Sequence, residues 1–242
     1  MPRGTPDGKA VTYETASQIT DLGSHANYLW GFAPIDGRGR MVFLDTFNNG
    51  LGAWTIDNTN TSLIQNDPAD GRGYAFVPPY GVKFATGSSG SAFLTRNLIL
   101  GRGGNYGIEA AIPMRGENPK YNVFLNIRPF NLTNKIAGLI YDPTVNQWKL
   151  YTAAGDINLT SMQGNGSNPS PYWVQVKVVG DWNTGKYKRA IIGDSQYDIS
   201  SHTMVTGGTS INGLSQARLE MYGVSGSVAG FVGYVLVTRD EP

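Results

Sequence analysis

The chain has 242 residues and a formal net charge of +1, and 15% of its residues are charged, against about 25% in an ordinary globular protein. So weak a field excludes nucleic-acid binding driven by charge. There is no cysteine, which excludes disulfide bonds, thiolate metal sites and a cysteine nucleophile. No apolar stretch approaches the roughly 18 residues of a membrane-spanning helix, so we expect neither a nucleic-acid partner nor membrane insertion.

The first 40 residues differ in composition from the rest of the chain. They are rich in glycine and proline and lack sustained hydrophobic periodicity, which predicts an extended N-terminal arm over residues 1–40. Within this arm, residues 21–30 have the pattern of one amphipathic turn or short helix, and no apolar signal-peptide region is visible. Large apolar side chains each gain about 1.5–3 kcal/mol on burial. We therefore predict that the arm docks on the chain's own body or on a partner through Tyr28, Leu29, Trp30 and Phe32.

From Met41 onward, short alternating segments follow one another with turn residues between them. Hairpin signals lie at residues 142–146 and 183–185. Many short strands at this spacing are typical of an antiparallel sandwich or jelly roll, so we predict one all-β domain over residues 41–242. The predicted strands cover residues 41–47, 53–57, 61–66, 73–77, 81–86, 91–99, 106–113, 121–130, 135–142, 147–153, 172–181, 186–193, 196–199, 216–223 and 228–238.

Two of these segments alternate clearly between polar and apolar residues. In residues 172–179, Trp173, Gln175 and Lys177 share one face and valines occupy the other. Residues 121–128 alternate in the same way, with asparagines opposite aliphatic residues. Half-polar strands of this kind belong to antiparallel sheets with one face in water, and we expect both polar faces to be wet.

Candidates for acid–base chemistry are few. The two histidines lie in neither a catalytic triad nor a metal-ligand spacing. Glycoside hydrolysis requires two carboxyl groups that flank the scissile bond, whereas Glu109 and Glu220 each stand alone in their strands. A pair from different strands stays open, and ion pairs with Arg96, Arg128 or Arg218 are the competing interpretation. We therefore predict no catalytic residue, no metal site and no cofactor.

Sugar binding requires aromatic rings beside amide and hydroxyl groups, because the apolar faces of pyranose rings pack on aromatic rings. Two tryptophans flank predicted hairpins, where side chains are often exposed, and several tyrosines accompany them. Packing in the core or in an interface is the competing interpretation of these rings. The candidates are Trp148, Tyr151, Tyr172, Trp182 and Tyr187, with Tyr80 as a further ring.

Two stretches resemble a known fold. Phe43-Leu44-Asp45-Thr46-Phe47, followed by Asn48-Asn49-Gly50-Leu51 and Trp54, resembles the first strand of concanavalin A-like and laminin-G-like jelly rolls and of related carbohydrate-binding modules. Residues 172–178 and 184–194 are similar to paired strands in the second half of that fold. The resemblance implies an antiparallel jelly-roll β-sandwich. Such modules often have an acidic residue in the final strand where this chain has Gly233-Tyr234, so their calcium and sugar sites do not carry over.

The N-terminal region has a second resemblance. It contains Pro2-Arg3-Gly4-Thr5-Pro6-Asp7, Gln18-Ile19-Thr20-Asp21-Leu22-Gly23 and, at the end of the arm, residues 38–47. These segments resemble uncharacterised structural proteins of tailed bacteriophages, in which an N-terminal arm precedes a jelly roll. The resemblance implies a non-enzymatic virion protein, a capsid decoration or tail-associated protein, that is made in the host cytoplasm. Its implied partners are other capsid or tail subunits, and a closed symmetric homo-oligomer is the default if it self-assembles.

Two other functions stay open at this stage. The first alternative is a carbohydrate-binding module that recognises a glycan through its exposed rings. The second is a concanavalin A-like glycoside hydrolase, which requires two carboxyl groups about 5–10 Å apart in one groove. The position of the rings and of the carboxyl groups in the fold distinguishes these functions.

Overall fold

The structure, a computed structural model, describes residues 36, 38–47, 49–65, 81–101, 103–114, 120–128, 133–161, 172–209, 213–224 and 228–242. All regular elements within these residues are β-strands. The predicted helical turn at residues 21–30 lies outside the described residues. So do Tyr80 and the predicted docking residues Tyr28, Leu29, Trp30 and Phe32.

The described part of the chain forms fifteen strands, which belong to two sheets. In chain order they are β1 Arg40–Asp45, β2 Thr55–Gln65, β3 Val82–Leu98, β4 Asn105–Met114, β5 Lys120–Ile127, β6 Thr133–Asp142, β7 Gln147–Leu150, β8 Ile157–Ser161, β9 Tyr172–Asp181, β10 Lys186–Ile192, β11 Ser195–Asp198, β12 Val205–Thr209, β13 Ser215–Tyr222, β14 Val228–Val232 and β15 Tyr234–Arg239.

The two sheets are antiparallel and form a jelly-roll sandwich, which confirms the predicted fold class. The six-stranded sheet has the order β1-β15-β4-β9-β10-β11. The nine-stranded sheet has the order β14-β3-β13-β5-β6-β7-β8, with β2 paired to β3 and β12 paired to β6. The inward-facing side chains of both sheets form one hydrophobic core that includes Phe84, Ile108, Leu125 and Trp148.

Most predicted strands match observed ones, and the differences have local causes. Residues 172–181 coincide with β9. The predicted strands 81–86 and 91–99 form the single strand β3, because β2 pairs with it on both sides of the glycine- and serine-rich stretch 87–90. The left-handed conformation of Asn60 (φ 49°) accommodates the register shift in β2 opposite that stretch. The sequence analysis missed β8 and β12, which are short and polar.

The last predicted strand changes sheet in its middle. Gly233 separates β14, which pairs with β3 in the nine-stranded sheet, from β15, which pairs with β4 in the six-stranded sheet. Val232 and Val235 both face the core, so the alternation shifts by one residue at Gly233. The N–H of Gly233 donates to the carbonyl of Ala111 (2.9 Å), which anchors the crossing point.

The opening motif folds around Asp45. One oxygen of its carboxylate accepts from the N–H of Phe47 at 2.7 Å, and the other accepts from Nε1 of Trp54 at 2.8 Å. The rings of Phe47 and Trp54 pack with centroids 5.7 Å apart, and Phe47 is in the left-handed region (φ 59°). Asp45 therefore closes the turn after β1 and seats both rings in the core.

The outer face of the six-stranded sheet carries a buried ion cluster, defined here as Asp36, Glu109, Lys177, Arg189 and Glu241. Nζ of Lys177 lies 2.7 Å from Oε1 of Glu241 and 3.6 Å from Oδ2 of Asp36. Nη2 of Arg189 lies 2.8 Å from Oδ2 of Asp36 and 2.5 Å from Oε2 of Glu241. The cluster therefore joins residues from both ends of the described chain to β9 and β10.

The prediction of wet polar faces is wrong for both strands. On β5, Asn122, Phe124 and Asn126 are buried, and on β9 the ion cluster replaces water. Lys177 is 0% exposed, and Glu109 and Glu241 are also buried. Tyr234 extends the network, since its hydroxyl donates to Glu109 and accepts from Nε2 of Gln175. The alternation is as predicted, but ion pairing rather than water satisfies the polar side chains.

Loss of one carboxylate from the cluster should be costly. Glu241→Gln would remove the carboxylate that lies nearest to both Lys177 and Arg189, and breaking a buried ion pair costs about 3–5 kcal/mol. We expect that decrease in the free energy of unfolding, measured by urea denaturation. Arg40→Gln is the control, because the Arg40–Asp240 pair is exposed and such pairs contribute about 0–1 kcal/mol. Equal effects of the two substitutions would contradict the assigned role of the cluster.

The cluster also predicts a pH dependence. Burial alone would raise the pKa of Asp36, but hydrogen bonds from Arg38 and Arg189 and the charge of Lys177 hold it well below its usual 3.8. A carboxyl group with a depressed folded pKa stabilises the fold above its unfolded pKa, and this stabilisation is lost as pH falls towards the folded value. The free energy of unfolding is measured by urea denaturation at a series of pH values. Above about pH 5, the value for the wild type should exceed that for Asp36→Asn by a constant margin. The margin should shrink below pH 3.8, and a margin that stays constant there would contradict the role of Asp36.

Candidate functional site

The outer face of the nine-stranded sheet contrasts with the buried ion cluster. Alternation along β3, β5 and β13 directs aliphatic residues into the core and aromatic, amide and charged residues outward. The strand registers align these outward residues in rows across the sheet. One row contains Asp57, Phe93, Glu220 and Asn122; the next contains Thr55, Thr95, Arg218 and Phe124; a third contains Asn97, Gln216 and Asn126.

An open groove of about 480 Å³ runs over this face. Strands β2, β3 and β13 form its floor, and its side chains combine one aromatic ring with hydroxyl, amide and charged groups. The lining residues are Thr55, Asp57, Phe93, Thr95, Asn97, Gln216 and Arg218. Such a mixture of a flat apolar surface and hydrogen-bonding groups suits a ligand with many hydroxyl groups.

Phe93 is the aromatic centre of the groove. Its ring makes an edge contact with Tyr222, at a centroid distance of 5.5 Å. The guanidinium carbon of Arg218 lies 5.2 Å from the Phe93 centroid, within the range of a cation–π contact. These contacts fix the orientation of the ring, and the guanidinium of Arg218 lies over one of its two faces.

Glu220 holds the neighbouring polar residues in place. Its Oε1 lies 2.7 Å from Nε of Arg218, and its Oε2 accepts from Nδ2 of Asn122 (2.6 Å) and from the hydroxyl of Tyr222 (2.9 Å). Burial, together with the charge of Glu220 and this hydrogen bond, raises the pKa of Tyr222. Tyr222 therefore stays a hydrogen-bond donor to Glu220. The predicted pairing of Glu220 with Arg218 is confirmed.

A second aromatic pair lies on the same face beyond Arg218. Phe124 stands opposite Arg218 in the register, and its ring packs against Tyr151 with centroids 5.0 Å apart. The ring covers Gly138, where a Cβ atom would lie 2.0 Å from Phe124. Tyr151 is half-buried. The predicted ring of Tyr151 thus lies next to the row that contains Arg218 and Phe124.

Three other predicted sugar-binding rings belong to the core. Trp148 is 0% exposed, Trp182 is 4% exposed and Tyr187 is 1% exposed. The hydroxyl of Tyr187 donates to the carbonyl of Tyr151, and Nε1 of Trp182 donates to the carbonyl of Lys135 (3.0 Å). The competing interpretation, packing in the core, therefore holds for all three rings. Strand β7 directs Trp148 between the sheets, the residue after β9 directs Trp182 there, and the start of β10 does the same for Tyr187. The side chain of Tyr172 lies outside the described residues.

The two glutamates considered for hydrolysis lie on opposite sides of the sandwich. Glu109 belongs to β4 and to the ion cluster of the six-stranded sheet, where its charged neighbour is Lys177. Glu220 belongs to β13 and the outer face of the nine-stranded sheet. Both sheets separate them, so they do not form an acid–base pair in one groove.

The described ranges contain no candidate metal site and no candidate membrane-spanning helix. No group of three or more histidine, aspartate or glutamate side chains there could hold a metal ion. No helix there is long and apolar enough to cross a membrane.

Sequence reasoning missed the principal residues of the groove, although part of the signal was present. The segment Arg218-Leu219-Glu220-Met221-Tyr222 alternates, and this pattern alone puts its three polar or aromatic members on one face. Phe93 and Thr95 alternate with core residues in the same way. The register that joins these segments, about 120 residues apart, depends on tertiary structure, so the groove was invisible in the sequence.

Neither a family model nor a curated protein matches this chain, but solved structures do. The carbohydrate-binding module TmCBM61, in complex with β-1,4-galactotriose, is 13% identical with a TM-score of 0.41, over 81% of this chain and 94% of that chain. The cellulose-induced protein Cip1 is 12% identical with a TM-score of 0.47, over 81% and 96%. A family 16 endo-glucanase from Bacteroides ovatus is 11% identical with a TM-score of 0.46, over 81% and 100%. We therefore argue function from this chain's own residues.

Substitution of a core ring should affect stability rather than binding. Trp148→Phe would leave a cavity next to Tyr141, whose ring centroid lies 5.4 Å from that of Trp148. We expect the free energy of unfolding to fall by about 1–3 kcal/mol in urea denaturation. Under conditions in which the variant stays folded, its affinity for any glycan that the wild type binds should stay within about twofold of the wild-type value. A selective loss of glycan binding without destabilisation would contradict the core assignment.

Proposed function

We propose that this protein is a carbohydrate-binding protein that holds a glycan in the groove over β2, β3 and β13, without catalysing its cleavage. The observation that carries the proposal is the position of the Phe93 ring in an open groove whose other lining groups are hydroxyls, amides and two opposite charges. This favours the first alternative of the sequence analysis over the virion function.

The groove meets the chemical requirements for a sugar ligand. A pyranose ring offers an apolar face for Phe93 and equatorial hydroxyl groups for hydrogen bonds. Asn97 and Gln216 are linked by a hydrogen bond of 3.1 Å between their amides, which orients the remaining donor and acceptor atoms of both. Thr55 and Thr95 add hydroxyls on neighbouring strands. Rigid strands thus present the polar groups at fixed spacing, which lowers the entropic cost of binding.

Binding without cleavage follows from how the carboxylates are used. Asp57 and Glu220 lie in one row with Phe93 between them, so two strand spacings of about 4.8 Å separate their strands. Glu220 is buried, accepts hydrogen bonds from Asn122 and Tyr222, and forms an ion pair with Arg218. Its side chain does not line the groove, so it is not placed to give a proton to a bound glycan. Glu220 therefore acts as a structural acceptor, and Asp57 lacks the second carboxyl group that hydrolysis requires.

Assembly on a virion stays a prediction that rests on the resemblance of the N-terminal segments. The predicted docking residues lie outside the described residues, as do residues 1–35 of the predicted arm. Homo-oligomerisation is equally untested. Neither prediction conflicts with glycan binding, because a virion protein can also attach to sugars.

The test is removal of the ring. We expect Phe93→Ala to weaken binding to the best ligand of a broad glycan array at least about tenfold, measured by isothermal titration calorimetry, because the sugar loses its stacking surface. Phe93→Tyr retains an aromatic face and should stay within about threefold of the wild type. Unchanged affinity in Phe93→Ala, or no binding to any glycan on the array, would refute the proposal.

A matched pair of substitutions separates the groove from general surface effects. Gln216→Ala removes a groove amide, whereas Gln196→Ala removes an exposed amide on β11 of the other sheet. Only the first should weaken binding. Incubation of the protein with its ligand should release no reducing ends. Release that disappears in Asp57→Asn would contradict the absence of catalysis.

A further inference from the structure

Arg128 is a cation on the outer face of the nine-stranded sheet that forms no ion pair with any carboxylate among the described residues. It follows directly after β5 and is half-buried, and its backbone N–H donates to Oγ of Ser215 (3.2 Å). When the Asn126 amide is oriented with its oxygen towards the guanidinium, that oxygen accepts from Nε of Arg128 at 2.9 Å and from Nη2 at 3.1 Å. Within the described residues no carboxylate pairs with Arg128, since Glu220 bonds Arg218.

The position of Asn126 places Arg128 at the end of the groove. Asn126 lies opposite Gln216 in the register, and Gln216 lies opposite Asn97. Both Gln216 and Asn97 line the groove. Burial lowers the pKa of Arg128, and the nearby positive charge of Arg218 lowers it further. Arg218 lies opposite Phe124 on β5, the strand that Arg128 follows, so both cations belong to the β5–β13 side of the groove.

The charges of the groove are separated along its width. Arg218 and Arg128 lie on and beside β13 and β5, and Glu220 supplies one negative charge there through its bond to Nε of Arg218. Lys120 on β5, whose Nζ lies 5.8 Å from the ring centroid of Tyr222, is a further cation on this side, so the positive charges outnumber the negative one. Asp57 lies on β2, beyond β3. The side of the groove next to β5 is thus positive, and the side formed by β2 is negative.

We infer that the groove selects anionic glycans, and that Arg128 binds the carboxylate or sulfate group of one sugar while Phe93 stacks on another. A guanidinium group has five N–H donors, and Asn126 accepts from two of its nitrogens. The donors that remain match the two-oxygen edge of a carboxylate or sulfate. Half-burial strengthens this contact relative to one in water. The inference rests on the proposed function, because it assigns a substrate class to the same groove.

The experiment compares pairs of glycans that differ in charge. Tri-galacturonic acid is paired with its methyl ester, sialyllactose with lactose, and a sulfated chondroitin hexasaccharide with its desulfated form. We expect the full-length protein to bind the anionic member of at least one pair about tenfold more tightly or better, measured by calorimetry. That preference should weaken as sodium chloride is raised from 20 to about 300 mM, because salt screens the charges.

Arg128→Gln isolates the anion contact. It should abolish the preference within the pair and leave affinity for the neutral member within about twofold. Arg40→Gln, the same chemical change on the six-stranded sheet, should leave the preference intact. Equal affinity for both members of every pair would overturn the inference and leave the proposed function standing. No binding to any glycan would overturn both. If Arg128→Gln is unstable, the salt dependence of the wild type still decides, since a salt-independent preference would overturn the inference.

Discussion

The buried pairing of Lys177 with Glu241 and of Arg189 with Asp36 is the constraint on which the rest of the structure depends. Desolvation makes an unpaired buried charge costly by several kcal/mol, so these side chains must stay together or the face must open to water. The pairing requires Asp36, which precedes β1, and Glu241, which follows β15, to pack against β9 and β10. Both ends of the sandwich are therefore fixed to its middle strands by charge.

The two sheets use the same alternation for opposite purposes. In the six-stranded sheet, the outward residues Ala111, Tyr234 and Leu236 form a small buried hydrophobic cluster beside the ion cluster. In the nine-stranded sheet, the outward residues line an open groove. The difference lies in the side chains rather than in the backbone, since both sheets are antiparallel ladders of similar geometry. In the described part of the chain, the first face is closed by its own residues, and the second is available to a ligand.

Sequence reasoning predicted the architecture well, because alternation, turn residues and the Asp45 motif are local signals. It failed for Lys177, because alternation shows that a residue faces outward and does not show whether water or a counter-ion lies there. It left Trp148 and Trp182 open between two interpretations for the same reason. Proximity to a hairpin suggests exposure, yet both rings point between the sheets. The groove depends on long-range pairing between β3 and β13, which a single sequence does not reveal.

The closed face and the open groove are mechanically connected through one continuous segment. Glu241 anchors the end of β15, β15 continues back through Gly233 into β14, and β14 pairs with the first half of β3. The second half of β3 carries Phe93, Thr95 and Asn97 into the groove. Because β3 is a single strand of 17 residues, one path of paired strands connects the ion cluster to the groove. Strand pairing holds the polar groups of the groove at fixed spacing, which lowers the entropic cost of binding a ligand.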